Sequence, residues 1–193
     1  MDINKFDVAQ TKVDARITPR HDIFDRIEKS TVWGIKRYES NKHLKEGYIY
    51  DEQECKDVFD GMPQFSTIKG NVLLNEGIGN LLQLIATTGG VQWATGNAYL
   101  GTGTSATGEA ATDTGLLAGA VYKAMDSTWP QIVTQTVTWQ STFASADANQ
   151  AWNEYSVSTT SLDTGKNLNR KTSAQGTKVS GQSWQLQLAI TFS

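Results

Sequence analysis

The chain has few of the residues that most often carry chemistry. It has one cysteine, Cys55, which excludes an internal disulfide, and nothing points to an oxidising compartment. Its two histidines, His21 and His43, both lie in the polar N-terminal part. Their spacing from each other and from Cys55 fits no zinc-ligand pattern. A long apolar run is also missing. The strongest such stretch, Leu73–Ala86, is interrupted by Asn75, Glu76, Gly77, Gly79, Asn80 and Gln83, so it cannot span a bilayer and no membrane partner is expected. Met1–Lys5 lacks the apolar segment of a signal peptide, which leads us to expect synthesis in the cytoplasm. The net charge is -3 and no Lys/Arg run forms a basic patch, so nucleic acid is not an expected partner.

Charge is scarce in one part of the chain only. Residues 1–70 carry 25 of the 37 charged side chains (12 Lys/Arg and 13 Asp/Glu), whereas residues 71–193 carry 12 (5 and 7). A free monomeric enzyme usually keeps a well-charged surface for solubility. A weakly charged exterior rich in Thr, Ser and Gln suits a protein packed against copies of itself or a partner. The glycine-rich stretch Gly101–Gly108 lacks the Gly-Lys-Ser/Thr ending of a phosphate-binding loop and reads as a surface loop. Asp147, Glu154 and Asp163 do not have calcium-loop spacing. The part after residue 70 has many serines but no nucleophile elbow and no histidine to act as base. No catalytic, cofactor-binding or metal-binding residue is assigned. Replacing Glu109, Asp113, Asp147 and Glu154 together by Asn/Gln is expected to leave partner binding largely intact.

Patterning predicts a mainly β protein. Residues 1–31 are mixed in charge with few large apolar side chains and read as an extended N-terminal arm, in which Ile23, Phe24 and Ile27 share one face. Residues 32–193 read as a β-sandwich domain. Short strands are expected at Val32–Tyr38, Tyr48–Tyr50 and Phe65–Ile68. One helix is predicted over 72–88, with Leu74, Ile78, Leu81, Leu82 and Ile85 as its apolar stripe and Gly89-Gly90 as its stop. Gly77 and Gly79 weaken it by roughly 1 kcal/mol each relative to alanine, which suggests close packing against a sheet. Beyond Asn97 the period becomes two. Strands are expected at Ala120–Met125, Ala151–Thr159 and Asn167–Thr172, the last two joined by a turn at Asp163–Gly165. Val133, Val137, Trp139 and Phe143 alternate with Thr134, Thr136, Thr138, Gln140 and Thr142. Trp184, Leu186, Leu188, Ile190 and Phe192 alternate with Gln185, Gln187, Ala189 and Thr191. Such regularity marks antiparallel strands with one buried face, in a jelly-roll-like or immunoglobulin-like sandwich. Trp139 and Trp184 fall on the apolar faces. Phe24, Trp33, Tyr38, Trp93, Trp129 and Trp152 remain as candidate contact residues, and Trp93, Trp129 and Trp152 would be the platform of a carbohydrate-binding module.

Several segments resemble a family of small tailed-bacteriophage virion proteins. They are Asn71–Ile78, Asn97–Gly103, Ala124–Asp126, Phe143-Ala144, Ala148–Glu154, Leu168–Lys171 and Gln175–Trp184, in that order along the chain. The resemblance covers residues 70–193. It implies a β-sandwich subunit of the virion, made in the host cytoplasm, with no catalytic residues. The role expected from it is a capsid decoration (cement) protein, which bridges major capsid subunits on the head exterior and forms a homo-oligomer, most simply a trimer. A tail or fibre-base adaptor is the alternative within the same class.

Overall fold

The structure, a computed structural model, describes residues 29–38, 58–59, 62–63, 65–162 and 164–192. Its centre is built by the alternation of the last strand. Trp184, Leu186, Leu188 and Ile190 point to one side and are buried. The first described strand, β1 (Lys29–Tyr38), lies antiparallel beside them, with Trp33 opposite Leu188 and Ile35 opposite Leu186. The expected domain boundary at 32 therefore moves to Lys29, because residues 29–31 pair with Ile190–Phe192. The rest of the proposed arm, with Phe24, lies outside the described residues, as does the strand expected at 48–50.

Two short strands, β2 (Val58–Phe59) and β3 (Met62–Pro63), pair only with each other. After them come β4 (Phe65–Lys69), β5 (Val72–Leu73), helix α1 (Asn75–Ala86), β6 (Tyr99–Gly103), β7 (Val121–Ala124), β8 (Gln131–Val133), β9 (Thr136–Phe143), β10 (Glu154–Ser158), β11 (Asn169–Thr172) and β12 (Ser183–Phe192). They form two five-stranded antiparallel sheets, ordered β4-β1-β12-β9-β8 and β5-β11-β10-β6-β7. These are the two layers of a β-sandwich. Leu100, Tyr155 and Val157 of the second sheet join Trp33, Ile35, Trp139, Phe143, Trp184 and Leu188 of the first in one core. Trp152 stands edge-on to both Phe143 and Trp184, at 4.9 Å between ring centroids in each case. That is a favoured aromatic geometry.

Three expectations are corrected. The helix starts at Asn75, because Val72 and Leu73 instead pair with Arg170 and Asn169 of β11, and it ends at Ala86. Of the predicted stripe, its inward side keeps only Leu74, at the N-cap, and Leu81. Gly77 and Asn80 are buried and Leu81 and Leu84 pack on the core, while Ile78, Leu82 and Ile85 point outward. The cause is local. A side chain at Gly77 would run into the Leu168 carbonyl oxygen, so the helix backbone rests directly on the chain leading into β11. Asn80 adds two bonds to Val91: its Nδ2 donates to the Val91 carbonyl at 2.7 Å, and the Val91 N–H donates to its Oδ1 at 2.9 Å. The second correction is that Val133–Phe143 is a hairpin and not a single strand. Thr134 sits at φ 52, the chain reverses there, and Val133 pairs back with Thr136 and is exposed. The third is that Phe192, at the end of β12, is partly exposed.

Candidate functional site

The aromatic side chains singled out as contact candidates are internal. Trp33, Tyr38, Trp93, Trp129 and Trp152 are all buried. Trp33 and Tyr38 lie on β1, and loops fold over the other three. The Trp93 Nε1–H donates to the Lys166 carbonyl at 2.8 Å, and the Trp93 carbonyl accepts from Trp139 Nε1 at 2.9 Å. The Trp152 Nε1–H donates to the Ala148 carbonyl at 3.0 Å. The Trp129 carbonyl accepts from Thr95 Oγ1 at 3.0 Å. None of the three loop tryptophans presents a ring face to a sugar.

Charged side chains gather instead beneath the glycine-rich loop. Gly101 and Gly103 lie on the outer side of β6, and without side chains they let other groups lie flat on the strand. A Cβ at Gly101 would collide with the Tyr122 ring, and one at Gly103 would come within 2.5 Å of Glu154 Oε1. Glu154 pairs with Gly103 across the sheet and is fully buried. Its carboxylate accepts the backbone N–H groups of Ser105 at 3.1 Å, Leu117 at 3.0 Å and Ala118 at 3.0 Å. Its Oε2 also accepts the Arg170 Nε–H at 2.7 Å. Arg170 is buried too. Its Nη1 donates to Asp113 Oδ2 at 2.9 Å and to the Gly108 carbonyl at 3.2 Å, and its Nη2 to the Thr107 carbonyl at 2.9 Å. One carboxylate and one guanidinium thus fasten both ends and the tip of the 104–118 loop to the outer face of the second sheet. Charge-assisted bonds of this kind are the strong ones.

The other described acids in this part of the chain are also committed. Glu76 accepts the Asn167 N–H at 2.7 Å. Glu109 takes Lys171 Nζ at 3.0 Å and the Thr172 N–H at 3.2 Å. Partial burial raises the pKa of Glu109, but the hydrogen bonds and the Lys171 charge outweigh it and hold the group below its ordinary value. Asp126 ties the β7–β8 connection to β9 through the Thr142 N–H and hydroxyl, each at 2.8 Å, and Gln140 Nε2 at 2.9 Å. Asp147 takes Lys123 Nζ at 2.6 Å and the Ala144 N–H at 3.0 Å. Burial opposes ionisation of Asp147, yet these contacts and the nearby lysines leave its pKa lowered. Acids used in this way supply hydrogen-bond acceptors to the backbone. Among the described residues, no three of His, Cys, Asp and Glu gather to hold a metal ion. Among the same residues, no helix is long and apolar enough to cross a membrane.

Two further cations, Arg37 and Lys178, are fully buried. Arg37 is buried on the inner face of β1, with its guanidinium 4.6 Å from the centroid of the Trp184 ring. Its Nη1 donates to Ser66 Oγ and its Nη2 to the Gln175 carbonyl, both at 2.8 Å. Burial lowers it to about 10. Lys178 is buried and donates from Nζ to the Ala144 carbonyl and Asn149 Oδ1, both at 2.8 Å, which closes the 144–150 loop. Burial pulls it down to about 8, with the Asp147 charge acting the other way. The sequence signal for these groups was their scarcity. In a stretch so short of charge, most of the described ions are tied to the backbone or to each other.

Between these groups run long uncharged stretches. No charged side chain occurs from Gly77 to Gly108, nor from Ser127 to Ala146. On the side of the first sheet turned from the core, Gln187 donates to the buried Gln140, and Gln140 to Asp126, so the expected polar face is itself partly covered. Thr136 and Thr191 share a hydrogen bond of 2.7 Å on the same face. The large exposed apolar side chains include Ile132 and Val133 on the edge strand β8 and the outward ridge of α1. No protein-family model matches the chain, and neither the curated proteins nor the solved structures contain a match to it.

Proposed function

We propose that this chain is a non-enzymatic structural protein of a tailed-bacteriophage virion, which decorates the outer surface of the capsid and bridges major capsid subunits. In this reading copies group as trimers around local symmetry axes. The observation that carries the reading is the division of charge within the sandwich. Its fully buried ions, Glu154, Arg170, Arg37 and Lys178, are spent on loops and sheet edges, while long uncharged stretches and bare aliphatic side chains face out. A surface of that kind favours contact over free solution. The ordered segments from Asn71 to Trp184 that resemble small phage virion proteins supply the particular kind of contact. Many weak contacts repeated over a lattice add up without any single strong site.

The test is the number of copies in purified particles, measured by quantitative mass spectrometry against the major capsid subunit. The decoration reading expects stoichiometry with that subunit. A number matching the symmetry of a tail or baseplate would move the protein to the adaptor role. Absence from particles would end the virion reading.

A further inference from the structure

The contact between Lys178 and Asn149 brings together two groups that can react with each other. Lys178 Nζ stands 2.8 Å from the Asn149 side-chain oxygen, Oδ1, and 2.8 Å from the Ala144 carbonyl. We propose that the Lys178 amine displaces ammonia from the Asn149 amide, leaving an isopeptide cross-link between the 144–150 loop and the segment that joins β11 to β12. The inference concerns the chain itself and goes beyond the function proposed above, since it holds whatever the chain assembles with.

Four observations meet at this pair. First, the backbone holds both residues in place. Ala151 bridges antiparallel to Thr177, and the Lys178 N–H donates to the Gln150 carbonyl at 3.0 Å. Reacting groups fixed and aligned by a fold reach effective concentrations on the order of 10⁵ M or more. Second, Lys178 is buried, and burial lowers it to about 8. Near that pH much of the population carries the neutral amine, which is the nucleophilic form. Third, the amide is oriented. Its nitrogen Nδ2, the leaving group, donates to the Ser145 carbonyl at 3.0 Å, and Asn149 is exposed, so the ammonia has an exit. Fourth, a carboxylate is at hand to carry the proton. Asp147 and Lys178 feel each other's charge. Asp147 Oδ2 takes Lys123 Nζ and the Ala144 N–H, while Oδ1 accepts no hydrogen bond among the described residues. In the reaction a bond forms between Nζ and Cγ of Asn149, and the Cγ–Nδ2 bond breaks. Asp147 takes a proton from Nζ and returns it to Nδ2, which departs as ammonia, so no oxidant, reductant or third reactant is needed. The chain has one cysteine, so no disulfide can staple these segments in its place. Linking removes the Lys178 charge, and the titration of that group belongs to the chain before linking.

Intact mass spectrometry of the full chain, kept folded near the Lys178 value of about 8 and sampled over days, tests this. The expected result is a mass lower by one ammonia. Tryptic peptides 124–166 and 172–193 should then run as one joined species, because trypsin does not cut at an acylated Lys178. Lys178→Arg, which keeps the positive charge, and Asn149→Ala should both hold their full mass. Asp147→Asn should link several-fold more slowly. A wild-type chain that keeps its full mass overturns the proposal. So does an ammonia loss that persists in Lys178→Arg or leaves the two peptides separate, since those are the marks of a cyclic imide at Asn149. Linking at the wild-type rate in Asp147→Asn overturns the part given to Asp147.

Discussion

Glu154→Gln is the sharpest probe of the loop-bearing ion pair. The substitution keeps the shape of the side chain and removes its charge. Three backbone N–H groups and the Arg170 Nε–H converge on the carboxylate, and both partners of the ion pair are fully buried. The amide can accept at one oxygen, but its NH2 would face donors. Arg170 would keep only Asp113 as counter-ion, at 2.9 Å. Removing one partner of a buried pair typically costs ~3–5 kcal/mol, against a domain stability of roughly 5–15 kcal/mol. Urea unfolding should show that loss. Hydrogen exchange should show its place: the amides of Ser105, Leu117 and Ala118 should lose protection, while the Asn167 amide, bound to Glu76, should keep it. Glu154→Leu with Arg170→Met should cost less than the two single changes added together, since it leaves no orphaned charge. A loss below about 1 kcal/mol in Glu154→Gln, with those three amides still protected, would refute the argument. The fourfold replacement of Glu109, Asp113, Asp147 and Glu154 is for the same reason a folding lesion, contrary to the expectation drawn from sequence.

Three further outcomes follow from the packing. Leu188→Ala, in the middle of the core, should cost ~2–5 kcal/mol by urea unfolding, whereas Gln187→Ala on the opposite face, which breaks the bond to Gln140, should cost about 1 kcal/mol. Gly77→Ala should destabilise, because the new methyl group meets the Leu168 backbone, while Gly79→Ala should stabilise by about 1 kcal/mol, since it meets open space in a helix. Lys178 should make stability rise with pH. Its folded value is about 8 and its ordinary value 10.5, so over that interval the unfolded chain holds the extra proton and raising the pH favours the fold. The rise from pH 8 to 10 should be mostly lost in Lys178→Met, with Lys29, whose pKa burial also lowers, leaving a smaller slope. Above pH 10 the lowered Arg37 adds in the same direction and the raised Tyr155 opposes it, so the lower window is the one to read.

Strands with one apolar face were legible because a period of two survives any detail of packing. Trp184 to Ile190 and Trp139 to Phe143 are buried as their alternation implies, and the positions of β7, β10 and β11 follow the expected segments to within a few residues. The glycine at 77 was legible as a point of close contact. The orientation of α1 was not, because helical periodicity identifies an apolar stripe without saying what covers it. The core takes Leu81 and Leu84 and leaves Ile78, Leu82 and Ile85 outside. The β8–β9 turn was hidden because Thr134-Gln135 is not a turn signal; a β-branched residue at φ 52 is uncommon. The tryptophans beside loops looked exposed because strand ends usually are, yet here the loops fold back and bond to the indole nitrogens. Glu154 and Arg170 were seen only as separate charges, since nothing in their spacing announces that two strands will bring them together beneath one loop.

The pairing of β1 with β12 has a mechanical consequence. Lys29 opposite Phe192 means that the first and last described strands begin and end at the same corner of the sandwich, side by side in the middle of one sheet. A load applied between a tether placed ahead of Lys29 and one placed after Phe192 would act across the ladder, opening its hydrogen bonds one after another from that corner. The sheet would resist such a pull far less than one applied along the strands, where the whole ladder must shear at once. An assembly under strain would therefore keep this domain intact best by gripping it through its faces.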